Sequence, residues 1–270
     1  MSDTHGLKLN VPRTVLVGLA FFTICMFWQV YDSLMPLFLK DFDFGATLRG
    51  VIMALDNVLA VLLLPFMDTE SCIKAAATVI GTGCAPAVVE YMDTDIIEFS
   101  GNVTGNPVFP VEMDGERVAA TLMAVLEDED DDLVMEQMEA IAELAEEMEC
   151  LDILVGDTTT MKRDMWAAHD AFHTSMESGA KNSFEYNITV PAENIAEMVE
   201  WVKAHAGEKG MKAMAYAHVG TGGMHIHVAS DGDKDEFKTA LAELSVAVYE
   251  KCASLGGDVR GEYGIGYAKV

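Results

Sequence analysis

Two glycine-rich stretches hold the residues best suited to chemistry. The first is Ala217-His218-Val219-Gly220-Thr221-Gly222-Gly223-Met224-His225-Ile226-His227. Read as two strands joined by a Thr221-Gly222 turn, it sets His218 opposite His225, with Cβ atoms about 5 Å apart. Two imidazoles at that separation on one face can share a divalent ion. His227 points to the same face, because strand side chains alternate. Gly220, Gly222 and Gly223 let the backbone take positive φ and come close to a ligand. The same residues also describe a glycine-rich hairpin with incidental surface histidines. The second stretch is Gly256-Gly257-Asp258-Val259-Arg260-Gly261-Glu262-Tyr263-Gly264-Ile265-Gly266. Elsewhere His169 and His173 stand one helical turn apart, a spacing that binds metal. No zincin glutamate joins them, so an exposed helix face is the simpler reading.

The elements that must position these residues follow from periodicity. Helices are predicted over Ser71–Gly81, Glu116–Leu126, Asp132–Met148, Thr160–Glu177, Ala192–Ala206 and Lys234–Ala253. Strands are predicted over Asn106–Met113, Leu151–Val155, Phe184–Val190, Met211–His218 and Met224–Ala229. The acidic run Glu127–Asp132 reads as a solvated helix boundary, since a calcium loop needs glycine and alternating ligands. The order β-α-β-β-α from Phe184 onward implies an α+β fold with a ferredoxin-like antiparallel sheet and helices on one face.

Composition divides the chain. The net charge is −27 over 270 residues, with 51% hydrophobic side chains. So acidic a surface repels phosphate backbones and excludes nucleic-acid binding as the main job. So apolar a chain is not disordered. Five cysteines with no C-x-x-C pair argue against a disulfide framework or a thiolate zinc site and fit a reducing compartment. Residues 1–67 carry few charges of either sign, and nearly all the excess acid lies in 68–270. Thr14–Leu39 is long and apolar enough to cross a bilayer, and Val51–Met67 gives a second such run. The expectation is a two-helix transmembrane hairpin within 14–67 ahead of the α+β domain, making the protein membrane-associated with 68–270 cytoplasmic.

Met35-Pro36-Leu37-Phe38-Leu39-Lys40-Asp41-Phe42 and Leu48-Arg49-Gly50-Val51-Ile52-Met53-Ala54-Leu55-Asp56-Asn57 resemble the start of a major facilitator superfamily transporter. The family's Gly-x-x-x-Asp-Arg loop signature is replaced by Asp68-Thr69-Glu70. Two helices cannot enclose a substrate path, so a transporter fragment is the alternative reading of the chain, beside a non-catalytic metal-binding module.

The two glycine clusters together, with Ala85–Asp93, Met165-Trp166 and Tyr186–Pro191, resemble the C-terminal domain of FAD-linked oxidases of the vanillyl-alcohol oxidase superfamily. That group includes D-lactate dehydrogenases, the glycolate oxidase flavin subunit and D-2-hydroxyglutarate dehydrogenase. The resemblance implies that His218, His225 and Glu262 bind a divalent metal, commonly zinc, which polarises a 2-hydroxy-acid substrate. It implies a flavin approached by the glycine loops at Gly220, Gly222, Gly223 and Gly264. The catalytic base of the family falls at Tyr263, where the family has histidine. The family arginine that grips the substrate carboxylate is His169 here, and a family lysine is Glu185. The family's flavin sits mainly in a separate N-terminal domain, which nothing in this sequence resembles. The expectation is therefore the substrate-and-metal part, 68–270, of an FAD-dependent 2-hydroxy-acid oxidoreductase. That part is expected to be shortened at its C-terminus, inactive alone, and completed by a flavin domain or an electron-transfer partner.

Overall fold

Val58–Phe66 and Ala120–Asp128, the latter apolar up to Leu126 save for Thr121, show no polar stripe, a pattern that suits a strand covered on both faces. In the computed structural model they are β1 and β5, paired antiparallel along their whole length. The structure describes residues 58–265, apart from 82, 84, 129, 145, 146 and 157. Of residues 1–57 it describes Leu19, Phe22, Thr23, Met26 and Leu34, each helical. The remaining elements in chain order begin with α1 (Thr69–Gly81), β2 (Val88–Asp93), α2 (Thr94–Thr104), β3 (Glu112–Met113) and β4 (Glu116–Arg117). After β5 come α3 (Asp131–Glu143), β6 (Leu154–Gly156), α4 (Thr159–Gly179) and β7 (Asn182–Thr189). A 3-10 turn (Ala192–Asn194), α5 (Ile195–Glu208), β8 (Lys212–His218), β9 (Gly223–Ser230) and α6 (Lys234–Ser254) complete the fold.

The main sheet has seven strands in the order β6-β1-β5-β2-β8-β9-β7, every neighbouring pair antiparallel. In each half, a helix links two strands that flank a third: α1 takes β1 to β2 around β5, and α5 takes β7 to β8 around β9. The halves are thus two split β-α-β units joined edge to edge at β2 and β8. In the first half β6 lies outside β1. In the second, a single antiparallel bridge from Asp258 to Thr189 sets the chain after α6 in the matching place beside β7. That symmetry is why the second glycine cluster returns to the sheet.

The two faces of the sheet differ. One is packed by α1, α3, α5 and α6 around Leu62, Leu64, Tyr91, Leu122, Ile188, Ile226 and their neighbours. The other is covered by α2 and α4 over Val61, Leu63, Met92, Met123, Met214 and Tyr216. Asp93 ties the seam between the halves from a fully buried position. It caps α2 by accepting from the Ile96 amide at 2.8 Å, accepts from the Ala215 amide of β8 at 2.7 Å, and pairs with Lys203 at 2.9 Å.

Three expectations are corrected. Residues 58–66 of the anticipated second membrane span are a buried strand hydrogen-bonded on both sides, to β5 and β6. They belong to the same compact unit as the rest of the sheet, Val58–Val270, and the remainder of the anticipated hairpin (14–57) lies outside the described residues save the few named. Among the described residues no helix is long and apolar enough to cross a membrane. The helix anticipated over Glu116–Leu126 is the hairpin strand β4 followed by β5, because burial on both faces removes the polar stripe that separates a helix from a strand. Of the strand anticipated over Asn106–Met113 only Glu112–Met113 pairs, with β4. The acidic run is a helix boundary as expected, with the Asp130 carboxylate accepting from the Asp132 amide at the start of α3.

Candidate functional site

On the face that α4 covers, the even–odd alternation of four strands delivers polar side chains to one place: Glu90 from β2, His218 from β8, His225 and His227 from β9, and Glu185 and Asn187 from β7. The hairpin joining β8 to β9 is wider than expected. Tyr216 pairs with His225 and His218 with Gly223, leaving Val219-Gly220-Thr221-Gly222 as the loop. His218 and His225 are therefore diagonal rather than opposite. The displacement is an even number of residues, so both rings stay on one face.

Their Nε2 atoms stand 3.3 Å apart. Glu262, carried in by the tail, places Oε1 3.5 Å from His218 Nε2 and Oε2 3.6 Å from His225 Nε2. Two donors held about 2.1 Å from one tetrahedral zinc are themselves about 3.4 Å apart. Each imidazole is also held from behind: His218 Nδ1 lies 2.7 and 2.8 Å from the two Glu90 oxygens, and His225 Nδ1 2.6 Å from Glu185 Oε1. Donation from Nδ1 to these carboxylates leaves a lone pair on both Nε2 atoms, facing each other beside a third carboxylate. A cation relieves that repulsion, and carboxylate-backed histidines are the usual surroundings of one. The donor set fits a divalent metal.

Burial pushes the Glu90 carboxyl up, but the imidazoles of His169 and His218 beside it outweigh that and hold Glu90 below the usual carboxylate range. Burial acts the same way on Glu185 and is overcome by the hydrogen bond to His225 and by the nearby imidazoles. The bond to Glu90 raises His218. Desolvation pushes His227 down to about 4, so that ring is neutral. Tyr216 stacks flat on His225, with ring centroids 4.5 Å apart and planes within 1°.

Asn187 fixes the tail. Its Oδ1 accepts from the backbone amides of Glu262 (2.6 Å) and Tyr263 (3.3 Å), while its Nδ2 lies 3.2 Å from His225 Nδ1. Gly261, at φ +52°, crosses so close that a Cβ there would lie 2.0 Å from Asn187 Oδ1. Gly222 is explained by its own chain: at φ +75°, a Cβ would meet the Val190 carbonyl oxygen at 1.9 Å. Gly223 packs against His218 and Glu262, while Gly220 and Gly264 face open space.

The other anticipated residues are nearby in different ways. Tyr263 sets its ring 5.8 Å from that of His225 but is 64% exposed. Partial burial, then Glu185 and Glu262, push its phenol up, which leaves little phenolate to act as a base. His169 reaches the centre through Glu90, with Nε2 3.6 Å from Glu90 Oε2. Two residues that complete the arrangement, Glu90 and Asn187, were not singled out by the sequence. The only signal at Glu90 is a lone charge inside the apolar run Val88–Met92. A roomier cleft of about 900 Å³ lies on the opposite face against Thr69, Ile73, Ala77, Ala196 and Glu200, and no imidazole lines it.

Residues 55–270 match the family described as FAD linked oxidases, C-terminal domain. The D-lactate dehydrogenase of Anaerostipes hadrus is 29% identical over 210 residues, covering 77% of this chain and 44% of that protein. The glycolate oxidase subunit GlcD of Escherichia coli K12 is 22% identical over 213 residues, covering 79% of this chain and 41% of that protein. The chain thus spans less than half the length of these relatives. Among solved structures, p-cresol methylhydroxylase with substrate bound superposes with a TM-score of 0.56 at 13% identity, covering 74% of this chain and 44% of that one, a likeness of fold. The chain belongs to the FAD-linked oxidase C-terminal domain family.

Proposed function

We propose that this domain forms the substrate-side, metal-holding part of an FAD-dependent oxidoreductase acting on a 2-hydroxy acid of the D-lactate or glycolate type. The observation that carries the reading is the convergence of His218 Nε2, His225 Nε2 and the Glu262 carboxylate at 3.3 to 3.6 Å, with a carboxylate behind each ring. Its relatives named D-lactate dehydrogenase and glycolate oxidase supply the substrate class.

His218, His225 and Glu262 would hold the metal, zinc or a similar ion. When bound, the metal lowers the pKa of a coordinated hydroxyl and the flavin takes the two electrons that turn a 2-hydroxy acid into a 2-oxo acid. The chain's own residues keep the donors ready. Glu90 and Glu185 fix the Nδ1–H tautomers, Tyr216 holds the His225 ring plane, and Asn187 with Gly261 holds the tail over the rings. Tyr263, at the open side, keeps its phenolic proton and offers a hydrogen bond rather than a base.

The test is calorimetric titration of the zinc-loaded chain with D-lactate and with propionate. A 2-hydroxy acid can chelate through carboxylate and hydroxyl, so D-lactate is expected to bind at least about tenfold tighter than propionate, with His218→Ala abolishing the difference. Equal binding of the two acids, or a difference that survives His218→Ala, would refute the reading.

A further inference from the structure

We propose that His173, Glu185 and His227 form a second divalent-cation site, next to the one built on His218, His225 and Glu262. One donor atom from each of the three lies within 4.8 Å of the others, and among the described residues these are the two such groups. His173 comes from α4, Glu185 from β7 and His227 from β9, so the site is assembled across the helix–sheet interface.

The orientation of the donors carries the inference. His227 Nε2 is buried, in a residue 2% exposed, and has no hydrogen-bond partner. His173 Nδ1 is likewise buried and unbonded, although Glu185 Oε2 lies only 2.8 Å away. The oxygen lies off the axis along which that nitrogen donates or coordinates, so Glu185 does not satisfy it. Leaving two such nitrogens empty is costly, and a cation satisfies both together. The far side of His173 repeats the arrangement of the first centre in reverse. Its Nε2 lies 3.4 Å from Glu177 Oε1, one turn along the helix, which favours Nδ1 as the free donor.

Glu185 joins the two centres. Oε1 accepts from Nδ1 of His225, a donor of the first site, while Oε2 faces His173. Two imidazoles with one carboxylate suit a borderline d-block ion such as zinc or cobalt(II) rather than calcium or magnesium, which prefer all-oxygen shells. The second site stands on its own donors and does not need the first to be filled.

The test is metal analysis of the full chain after equilibrium dialysis against zinc(II), repeated with cobalt(II), whose visible spectrum reports nitrogen ligation. Wild-type protein is expected to hold two ions, His173→Ala one, His218→Ala one, and the double variant none. His173 is on the partly exposed side of α4, so its truncation leaves the packing intact, and circular dichroism checks this. Two ions retained in His173→Ala would overturn the second site, as would a wild-type protein holding one ion lost in His218→Ala alone. One ion lost only in His173→Ala would support the second site while removing the first.

Discussion

Replacing Glu90 by glutamine tests whether the first centre is held from behind. The Glu90 carboxylate is 4% exposed and gives both oxygens to His218 Nδ1, at 2.7 and 2.8 Å. Glutamine keeps the size and one accepting oxygen, so the ring still has a partner, but the charge is gone. A hydrogen bond to a charged group is worth about 1.5–3 kcal/mol against about 1 for a neutral pair. The difference, roughly 0.5–2 kcal/mol, corresponds to a two- to thirtyfold loss of affinity for zinc. The burial cost of Glu90 adds a second effect. The imidazoles beside Glu90 more than offset that cost and hold its carboxyl below the usual range, so removing the charge is expected to lower folding stability modestly while metal binding falls. Competition with a chromophoric chelator gives the affinity and urea denaturation the stability. Unchanged affinity in a folded Glu90→Gln protein would show that His218 is not a metal donor anchored through Nδ1. A fall in stability with zinc affinity unchanged would show Glu90 to be purely structural.

Gly261→Ala forces the tail off Asn187, because its Cβ would overlap Oδ1. The expected result is zinc affinity reduced at least about tenfold by the displacement of Glu262, with the urea midpoint nearly unchanged. Asp93→Ala removes a buried cap, a cross-strand acceptor and the nearer of the two carboxylates paired with Lys203 together, and is expected to destabilise the domain by about 3–5 kcal/mol in urea denaturation. A loss below about 1 kcal/mol would mean the two half-sheets do not depend on this tie. Burial pushes the Cys150 thiol up to about 11, so at pH 8 its thiolate is about a hundredfold scarcer than that of an ordinary cysteine. Iodoacetamide labelling followed by peptide mass spectrometry should show Cys150 reacting about two orders of magnitude more slowly than a free thiol at pH 8, the gap closing as pH rises toward 11.

The second half of the sheet was legible because its strands alternate or are short with polar ends. Phe184–Val190 and Met224–Ala229 show one apolar face opposite polar residues, Met211–His218 is short and apolar between charged or polar ends, and the observed strands lie within two residues of all three. The first half was not, for the same physical reason reversed. β1 and β5 are interior strands of the sheet, with α1 and α3 on one side and α2 and α4 on the other, so every described side chain from Ala60 to Phe66 and from Ala120 to Leu126 is buried. A run buried on both faces has no periodicity to read. Length then misleads as well, because β1 follows on residues 51–57, apolar save for Asp56 and Asn57, and the two together reach the span of a membrane helix.

The site shows the complementary limit. Sequence spacing placed His218 and His225 on one face, and that survives the wider loop because parity, not the identity of the paired residues, decides the face. Spacing cannot say which strand lies alongside. Glu90 meets His218 only because β2 and β8 are neighbours across the junction of two split β-α-β units, a contact between residues 128 apart in sequence. Glu262 arrives for a related reason. The chain after α6 runs where an outer strand would lie, and a tail that continued as a regular strand would pair along β7 and carry its side chains above and below the sheet. It makes one bridge at Asp258 and then turns at Gly261 over Asn187, which re-aims Glu262 at the two rings. The centre therefore depends on this half of the sheet having a bridge and a turn where the other half has a fourth strand.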